Sequence, residues 1–519
     1  MVVHLVCHSC KCKKTCYSFK FIKVVDEVVS FRTKFSMLVQ CKQFLYICRK
    51  PLAMHFDIFN KDTIVAVSTP PGVGAIALIR MSGSLSMSVL QKIFKTNNKS
   101  FNEGLIQSHQ QYFGSVFDDD ELLDEVLVSV FFGPNSYTGE DMVEISCHGS
   151  DFIQEQLLLV LMKEGVRLAE PGEFTMRAFF NKKMDLAQAE AVADLIASHS
   201  KASHDLALQQ MRGGFSEKIT RLRQRLVELA ALMELELDFS EEDVEFADRN
   251  ELDKLLDELL KEIRTLIDSF QTGNVIKKGI PVAIIGKPNV GKSTLLNAIL
   301  NEERAIVSDI PGTTRDVIED TIVIEGFSFR FIDTAGLRES FDEIESMGIE
   351  RTYEKIKQAS VILYVCDLTQ CKGETAEEML SEFTSFIQDK EKHFILIGNK
   401  IDQLEKIPPH FREMVELETI FISAKRKENI HLITDSLVQS ARKNSIQIDT
   451  IVSNIRHYHA LEKSAEALQS VADNLHSDMP TDLLAIDMRT ALYHLGSITG
   501  TIYTEEILGT IFSKSCIGK

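Results

Sequence analysis

The chain has 519 residues, and its 76 acidic against 57 basic side chains give a formal net charge of −19. This balance argues against a protein that binds nucleic acid through the electrostatic field of its whole surface. Any RNA partner must therefore bind at a local site or through another protein. The length predicts about three or four domains. No apolar stretch is long enough for a membrane-spanning helix, so we expect a soluble protein with no membrane partner. A cytoplasmic location is a separate expectation.

The first 60 residues are basic and rich in cysteine, unlike the rest of the chain. Three interpretations stay open: a zinc knot, which the crowded spacing disfavours; an organellar transit peptide, which is usually rich in Ser and Arg; and an untranslated or disordered extension upstream of Met54, which we favour. The other cysteines are scattered and predict a reducing compartment. The segment holds Cys7, Cys10, Cys12, Cys16, Cys41 and Cys48; the others are Cys147, Cys366, Cys371 and Cys516.

Short strands and turns follow in residues 61–180. Apolar runs typical of strands occupy 63–67, 75–80 and 126–132, and the last of these leads into a turn rich in Gly and Asn at 133–141. This pattern predicts an α+β domain. Arg80 and Glu144 lie in it, and physical reasoning alone gives them no role.

Helical periodicity dominates residues 181–272 and returns in 447–519. Helices on both sides of an insertion most simply form one bundle, so we predict an all-α domain interrupted by a G domain at 273–446. The apolar faces are Leu222, Leu226, Leu229 and Met233; Leu252, Leu255, Leu256, Leu259, Ile263 and Leu266; and Leu461, Ala465, Leu468 and Val471.

The insertion opens with an apolar strand, a glycine-rich loop and a helical pattern, over residues 280–299. Gly286 and Gly291 let backbone N–H groups surround phosphate oxygens, Lys292 supplies a positive charge and Ser293 can ligate Mg²⁺. Alone, this spacing also arises by chance in a turn that contains glycine. The predicted GTP contacts of this loop are Gly286, Asn289, Val290, Gly291, Lys292, Ser293 and Thr294.

Further guanine-nucleotide motifs follow in order, which makes chance a poor explanation. A threonine pair can complete the Mg²⁺ shell, an Asp-Thr-Ala-Gly segment can reach Mg²⁺ and the γ-phosphate, and Asp402 can accept from two guanine donors that adenine lacks. The set predicts an α/β P-loop (Ras-like) G domain that binds GTP. Its residues are Ser308, Thr313, Thr314, Asp333, Thr334, Ala335, Gly336, Asn399, Lys400, Asp402, Ser423, Ala424 and Lys425.

Leu337 stands where small GTPases commonly place a glutamine that orients the attacking water. A leucine side chain cannot form hydrogen bonds, so another group must position the water. The acidic residues at 342–345 are candidates. Charge on the transition state needs an extra cation, which is either a monovalent ion near Asn289 or Arg338 acting as a finger.

Four stretches outside the G domain complete the pattern: 63–72, 134–141, 171–191 and the end of the chain at 516–519. With the inserted G domain, the chain beyond the extension resembles MnmE, also called TrmE, a family of tRNA-modifying GTPases. The resemblance implies that the α+β domain binds folate and forms a homodimer. Two departures from the family are Ser515 before Cys516 and Ser308 in place of threonine.

The resemblance also implies an activity and its partners. It implies a GTPase stimulated by K⁺ that works with the flavoprotein MnmG, in a heterotetramer or larger complex, on the wobble uridine of certain tRNAs. A carboxymethylaminomethyl or aminomethyl group is added at C5, with 5-formyltetrahydrofolate or a related folate as one-carbon donor. The implied residues are Arg80, Glu144, Lys183 and Lys519 for folate; Asn289, Ser308, Ile310 and Thr313 for K⁺; Ser293 and Thr314 for Mg²⁺; Lys292 and Glu345 for catalysis; and Cys516 as a thiol that is either catalytic or incidental.

Two alternatives stay open. A GTP-dependent ribosome-assembly factor would bind RNA without modifying it, and such a protein is expected to carry a basic and aromatic RNA-binding appendage, which this sequence does not show. In the other alternative the α+β domain is a folate-dependent transferase by itself, and the G domain only regulates it.

Overall fold

The computed structural model describes residues 62–238, 249–302, 305–307, 320–332, 356–370, 383–389, 392–406, 417–444, 451–476, 481–513 and 518. Some predicted site residues lie outside these ranges, as does the cysteine-rich segment 1–60. They are Ser308, Ile310, Thr313, Thr314, Asp333, Thr334, Ala335, Gly336, Glu345, Cys516 and Lys519.

The N-terminal domain is a sheet covered on one face by helices. Its elements are β1 (Ile64–Val67), β2 (Ile76–Ser82), α1 (Ser86–Ile93), β3 (Phe94–Lys95), α2 (Lys99–Asn102), β4 (Gln110–Asp118), β5 (Glu121–Phe131), β6 (Met142–His148), α3 (Asp151–Lys163), β7 (Arg167–Leu168) and α4 (Glu173–Phe180). The strand order is β3-β4-β5-β6-β2-β1-β7, antiparallel except for the β1–β7 pair. The predicted α+β domain is confirmed.

The two faces of this sheet differ because side chains alternate along each strand. Ile79, Val128 and Ile145 are fully buried and pack in one core with residues of α1 and α3. Their strand neighbours Arg80 and Glu144 are paired across β2 and β6 on the opposite face. That face therefore presents polar groups, and it carries one of the sites described below.

The first part of the helical domain consists of α5 (Leu186–Ile196), α6 (Lys201–Met211), α7 (Gly214–Asp238) and α8 (Arg249–Lys278). Asp185 begins α5 with a capping box in which its side chain and that of Gln188 bond each other's backbone N–H groups. Among the residues that the structure describes, no helix has the length and apolar composition needed to cross a membrane.

The G domain follows α8. Its elements are β8 (Ile280–Ile285), α9 (Lys292–Leu300), β9 (Ala305–Val307), β10 (Asp320–Ile324), β11 (Phe327–Phe331), β12 (Val361–Asp367), α10 (Thr384–Ile387), β13 (His393–Asn399), a 3-10 turn (Ile401–Gln403), β14 (Thr419–Phe421) and α11 (Ile430–Asn444). Within the described residues, the strand order is β14-β13-β12-β8-β11-β10-β9; the β9–β10 and β10–β11 pairs are antiparallel, and the other pairs are parallel. The parallel strands thus end along one edge, where ligands bind in such sheets.

The chain then returns to complete a single bundle with α12 (Ile455–Asn474) and α13 (Thr481–Thr499), and α14 (Glu505–Phe512) follows, with Phe512 against Phe179 of α4. Leu226 of α7, Leu259 of α8 and Leu461 of α12 are all buried in its core. The predicted bundle around an inserted G domain is confirmed, while the domain boundaries given above stay predictions. Leu255 is 37% exposed, so its predicted place on the buried face of α8 is wrong. The buried positions 252, 256, 259, 263 and 266 are separated by four and three residues, and Leu260 widens this apolar stripe on the side away from Leu255.

The two chain segments that enter and leave the G domain touch each other. A Cβ atom added to Gly273 of α8 would lie 2.0 Å from the carbonyl oxygen of Val452. The N–H of Val452 donates to Ser269 Oγ at 3.0 Å, and Gln210 Nε2 donates to the carbonyl of Ile451, also at 3.0 Å. The backbone of the returning segment is therefore fixed to α8 and α6 just outside the insertion.

Candidate functional site

The loop between β8 and α9 has the conformation that its two glycines permit. Gly286 has φ 143° and Gly291 has φ 98°, values that side chains rarely allow. A Cβ on Gly286 would lie 2.2 Å from the carbonyl oxygen of Val365, and one on Gly291 would lie 2.4 Å from Asn399 Nδ2. Both positions thus require glycine because neighbouring strands approach the loop closely.

Lys292 begins α9 directly after this loop. Its Nζ donates to the carbonyl oxygens of Gly286 and Lys287, both at 2.8 Å. The ammonium group therefore lies across the loop, next to the N-terminus of a helix, where backbone N–H groups favour an anion. Ser293 and Thr294 are exposed in the same first turn, and Asn289 is exposed in the loop with φ 61°. Val290 is different, because its side chain is buried in the core and only its backbone faces the site.

Asn399, at the end of β13, joins three separate loops. Its Nδ2 donates to the carbonyl of Val290 at 2.8 Å, and its Oδ1 accepts from the N–H groups of Lys400 at 2.8 Å and Ala424 at 3.0 Å. The first contact is to the phosphate loop, and the other two are to segments predicted to surround guanine. The phosphate loop and the two motifs predicted to surround guanine are therefore brought together at the carboxyl edge of the sheet.

Asp402 and Ser423 form the predicted base pocket. Ser423 Oγ donates to Asp402 Oδ1 at 2.7 Å and accepts from the N–H of Arg426 at 3.1 Å. These bonds fix one carboxylate oxygen of Asp402 and leave Oδ2 as an acceptor for a ligand. Arg426 approaches Oδ2 no closer than 4.0 Å, and Lys425 is exposed beside the pocket.

Asp367, at the end of β12, is a site residue that sequence reasoning missed. It pairs in register with Asn399, and its Oδ2 lies 2.5 Å from Lys400 Nζ. Burial opposes its charge, but hydrogen bonds from Lys400 and Thr369 outweigh this effect and lower the pKa of the carboxyl. An acidic residue that ends a buried strand next to the predicted nucleotide motifs was the signal that could have found it.

A second polar site lies on the open face of the N-terminal sheet. Arg80 donates to Glu144 Oε1 from Nε at 2.9 Å and from Nη2 at 2.7 Å, and its Nη1 donates to the carbonyl of Gly518 at 3.1 Å. Lys183 donates to the carbonyl of Pro134 at 2.8 Å, in the turn next to the same face. Three of the four predicted folate residues are thus described, and Gly518 places the end of the chain at Arg80.

A cavity of about 540 Å³ opens beside Glu144. The guanidinium of Arg80 stacks 5.1 Å from the ring centre of Tyr137, whose phenol hydrogen-bonds Thr175 and has a pKa raised by burial. Sequence reasoning did not assign Tyr137 to the site, although it lies in the predicted turn at 133–141. The cavity is lined by His109, Phe131, Asn135, Ser136, Tyr137, Met142 and Glu144.

Two family models match the chain. The one described as the GTP-binding protein TrmE N-terminus matches residues 63–183, and the one described as the MnmE helical domain matches residues 186–516, well over half of the chain. The chain belongs to the MnmE family of tRNA modification GTPases. The tRNA modification GTPase MnmE of Cytophaga hutchinsonii is 52% identical over 82% of this chain and 91% of that protein. The MnmE proteins of Flavobacterium johnsoniae and Bacteroides fragilis are 50% and 49% identical, over 83% and 82% of this chain and 93% and 92% of those proteins.

Two solved structures show a weaker likeness to this MnmE family member. The G domain of the T. maritima FeoB iron transporter is 25% identical and covers 31% of this chain and 98% of that chain, with a TM-score of 0.23. A variant of Aquifex aeolicus Era bound to GDP and AlF4⁻ is 29% identical and covers 36% and 66%, with a TM-score of 0.24. At these TM-scores the likeness carries no part of the family assignment.

Proposed function

We propose that this GTPase works with the flavoprotein MnmG in the cytoplasm to add a carboxymethylaminomethyl or aminomethyl group to C5 of the wobble uridine of certain tRNAs. GTP hydrolysis drives a conformational step, and a folate supplies the one-carbon unit. The observation that carries the proposal is the junction at Asn399, where one amide joins the phosphate loop to the base pocket in a chain of the MnmE family.

The chain's own groups account for nucleotide binding. Backbone N–H groups of the 286–291 loop and of the first turn of α9 donate to phosphate oxygens. When the nucleotide binds, Lys292 Nζ replaces its hydrogen bonds to two loop carbonyls with hydrogen bonds to phosphate oxygens. Asp402 accepts from the N1–H and N2–H of guanine with its two carboxylate oxygens, of which Oδ1 also accepts from Ser423. Ser293 and Thr314 would hold Mg²⁺, which would neutralise charge on the phosphates. Ser293 fits this role because it is an exposed residue that carries a hydroxyl in the first turn of α9.

We further propose that K⁺ completes the site. The sequence has Leu337 where a water-orienting glutamine is common, so we assign the water to Glu345 and the extra positive charge to K⁺. Asn289, Ser308, Ile310 and Thr313 would hold this ion. Asn289 supports the proposal because it is exposed in the phosphate loop and carries an amide oxygen suited to a monovalent cation.

The polar site of the N-terminal domain fits a reduced folate such as 5-formyltetrahydrofolate. A pterin ring carries an amino group and a ring N–H side by side, which is the donor pair that a carboxylate recognises. Both bonds from Arg80 end on Glu144 Oε1, so Oε2 remains as an acceptor for that pair. Lys183 and Lys519 supply positive charge for the folate carboxylates, and Cys516 would lie two residues before Gly518, which Arg80 contacts.

The same sheet face supports a homodimer. Phe113, Leu127 and Ile76 are 62%, 44% and 68% exposed, although each belongs to a strand of the sheet. Phe113 and Leu127 are direct cross-strand partners, so they form one apolar patch. We propose that a second copy of the chain covers this patch, and that the dimer binds MnmG in a heterotetramer or larger complex.

Asn289→Lys tests the potassium site. A tethered ammonium would replace the bound ion, so the variant should hydrolyse GTP at the same rate in KCl and NaCl, whereas the unchanged chain should be faster in KCl. Asn301→Lys, at the exposed end of α9, is the matched control and should keep the difference. Phosphate release measures both rates. A salt dependence retained by Asn289→Lys would remove Asn289 from the potassium site.

Glu144→Gln tests the folate site. The amide loses the charge and one acceptor for the pterin donors, so we expect binding of 5-formyltetrahydrofolate to weaken by about tenfold, as measured by calorimetry. GTP hydrolysis should be unchanged. Glu125→Gln, an exposed change on the neighbouring strand β5, should bind the folate normally. Equal affinities for the two variants would show that Glu144 is not a folate ligand.

Leu127→Glu tests the dimer. A charge in the apolar patch should leave a monomer, while Leu483→Glu, an exposed position on α13 in the helical domain, should leave the dimer intact. Sedimentation equilibrium gives the mass in solution. If the unchanged chain is a monomer, or if Leu127→Glu remains a dimer, this face is not the interface.

Nucleoside mass spectrometry tests the activity as a whole. In bacterial cells that lack their own MnmE, expression of this chain should restore the C5-modified wobble uridine. Lys292→Ala, which removes the charge that faces the phosphates, should not restore it, although folate binding persists. An unmodified wobble uridine in cells that express the active GTPase would refute the proposed function and favour an assembly factor.

A further inference from the structure

Asp367 is a buried acidic residue whose neighbours belong to the predicted nucleotide site. It ends β12 with 3% of its surface exposed, and it lies opposite Asn399 in the parallel ladder. None of the guanine-nucleotide motifs described above includes it. A buried carboxylate is costly unless it is paired, so the identity of its partners indicates what it does.

Its partners divide between its two oxygens. Oδ1 accepts from the backbone N–H of Thr369 at 3.0 Å and from its hydroxyl at 2.6 Å, which fixes the carboxylate plane. Oδ2 accepts from Lys400 Nζ at 2.5 Å. The turn after β12 thus orients one oxygen, and the other is aimed at the lysine of the base pocket.

Lys400 is held at its other end as well. Its backbone has φ 70°, a conformation uncommon for residues with a side chain, and its N–H donates to Asn399 Oδ1 at 2.8 Å. Both ends of the lysine are therefore fixed, although a free lysine side chain samples many rotamers. Fixing a flexible group before a ligand arrives lowers the entropy lost on binding.

We propose that Asp367 is a positioning residue for guanine nucleotides, which holds the ammonium of Lys400 so that the lysine stem forms a fixed wall of the base pocket between Asn399 and Asp402. A buried ion pair is a weak source of stability, because its desolvation offsets its attraction. We therefore assign the Asp367–Lys400 pair to nucleotide binding and not to the stability of the fold. This inference rests on the guanine-nucleotide binding proposed above and adds a residue to it.

Asp367→Asn is the first test, since the amide keeps the size of the side chain and removes its charge. In the full chain, we expect the Kd for GDP and the KM for GTP to rise by about tenfold, with kcat at saturating GTP unchanged. A merely structural role would lower the melting temperature and would not separate KM from kcat. Glu190→Gln makes the same change at a largely buried carboxylate of the helical domain, which pairs with Arg456 at 2.9 Å. That control should bind GDP normally.

A double-mutant cycle shows whether Asp367 acts through Lys400. Lys400→Met keeps a stem without the ammonium, so adding Asp367→Asn to it should not weaken GDP binding further. A further loss of about tenfold in the Lys400→Met background would overturn the proposal. If Asp367→Asn does not fold, Asp367→Glu replaces it: restored GDP affinity would support the role of the charge, and a lost affinity in a stable Asp367→Glu would overturn it.

The two proposals fail in different ways. If the unchanged chain does not bind GDP, the proposed guanine-nucleotide function fails, and this inference fails with it. If the unchanged chain binds GDP and Asp367→Asn binds it equally well, only the role of Asp367 is refuted.

Discussion

One buried amide connects the parts of the nucleotide site. Asn399 contacts Val290 in the phosphate loop and Ala424 beyond β14, so loops that are far apart in sequence depend on the same side chain. Its Nδ2 occupies the space that a side chain at position 291 would need, which is why the loop requires Gly291 there. Loss of the amide would leave buried backbone groups without partners, at a cost of about 1–3 kcal/mol each. Phosphate and base recognition are therefore one structural unit.

The N-terminal site depends on an equally distant contact. Arg80 in β2 donates to the carbonyl of Gly518, 438 positions later in the chain. The intervening residues include the G domain and the whole helical bundle, and α14 directly precedes the tail. The polar pocket therefore includes a residue that lies beyond α14, far along the chain from β2.

Local patterns made much of this architecture predictable. The motif at Gly286 to Ser293 and the apolar stripes of α7 and α8 depend on spacing along the chain, which a sequence displays directly. The Asp367–Lys400 pair depends on the register between β12 and β13, and no local pattern encodes that register. Tyr137 was missed for a similar reason, because its contact with Arg80 follows from sheet order. Leu255 was misplaced because three leucines within five positions made the edge of the stripe ambiguous.

At the contact between Gly273 and Val452, the helical bundle closes as if the G domain were a single loop. The entropy needed to close a loop grows only with the logarithm of its length, so a large insert costs the bundle little more than a short one. The segments that flank the insert meet at this contact, since Gly273 precedes β8 and Val452 follows α11, the last element described in the insert. The helical bundle therefore requires only that the two chain ends of the inserted G domain lie close to each other. With this geometry, the coding sequence of one domain can be inserted into that of another, and the host domain keeps its hydrophobic core.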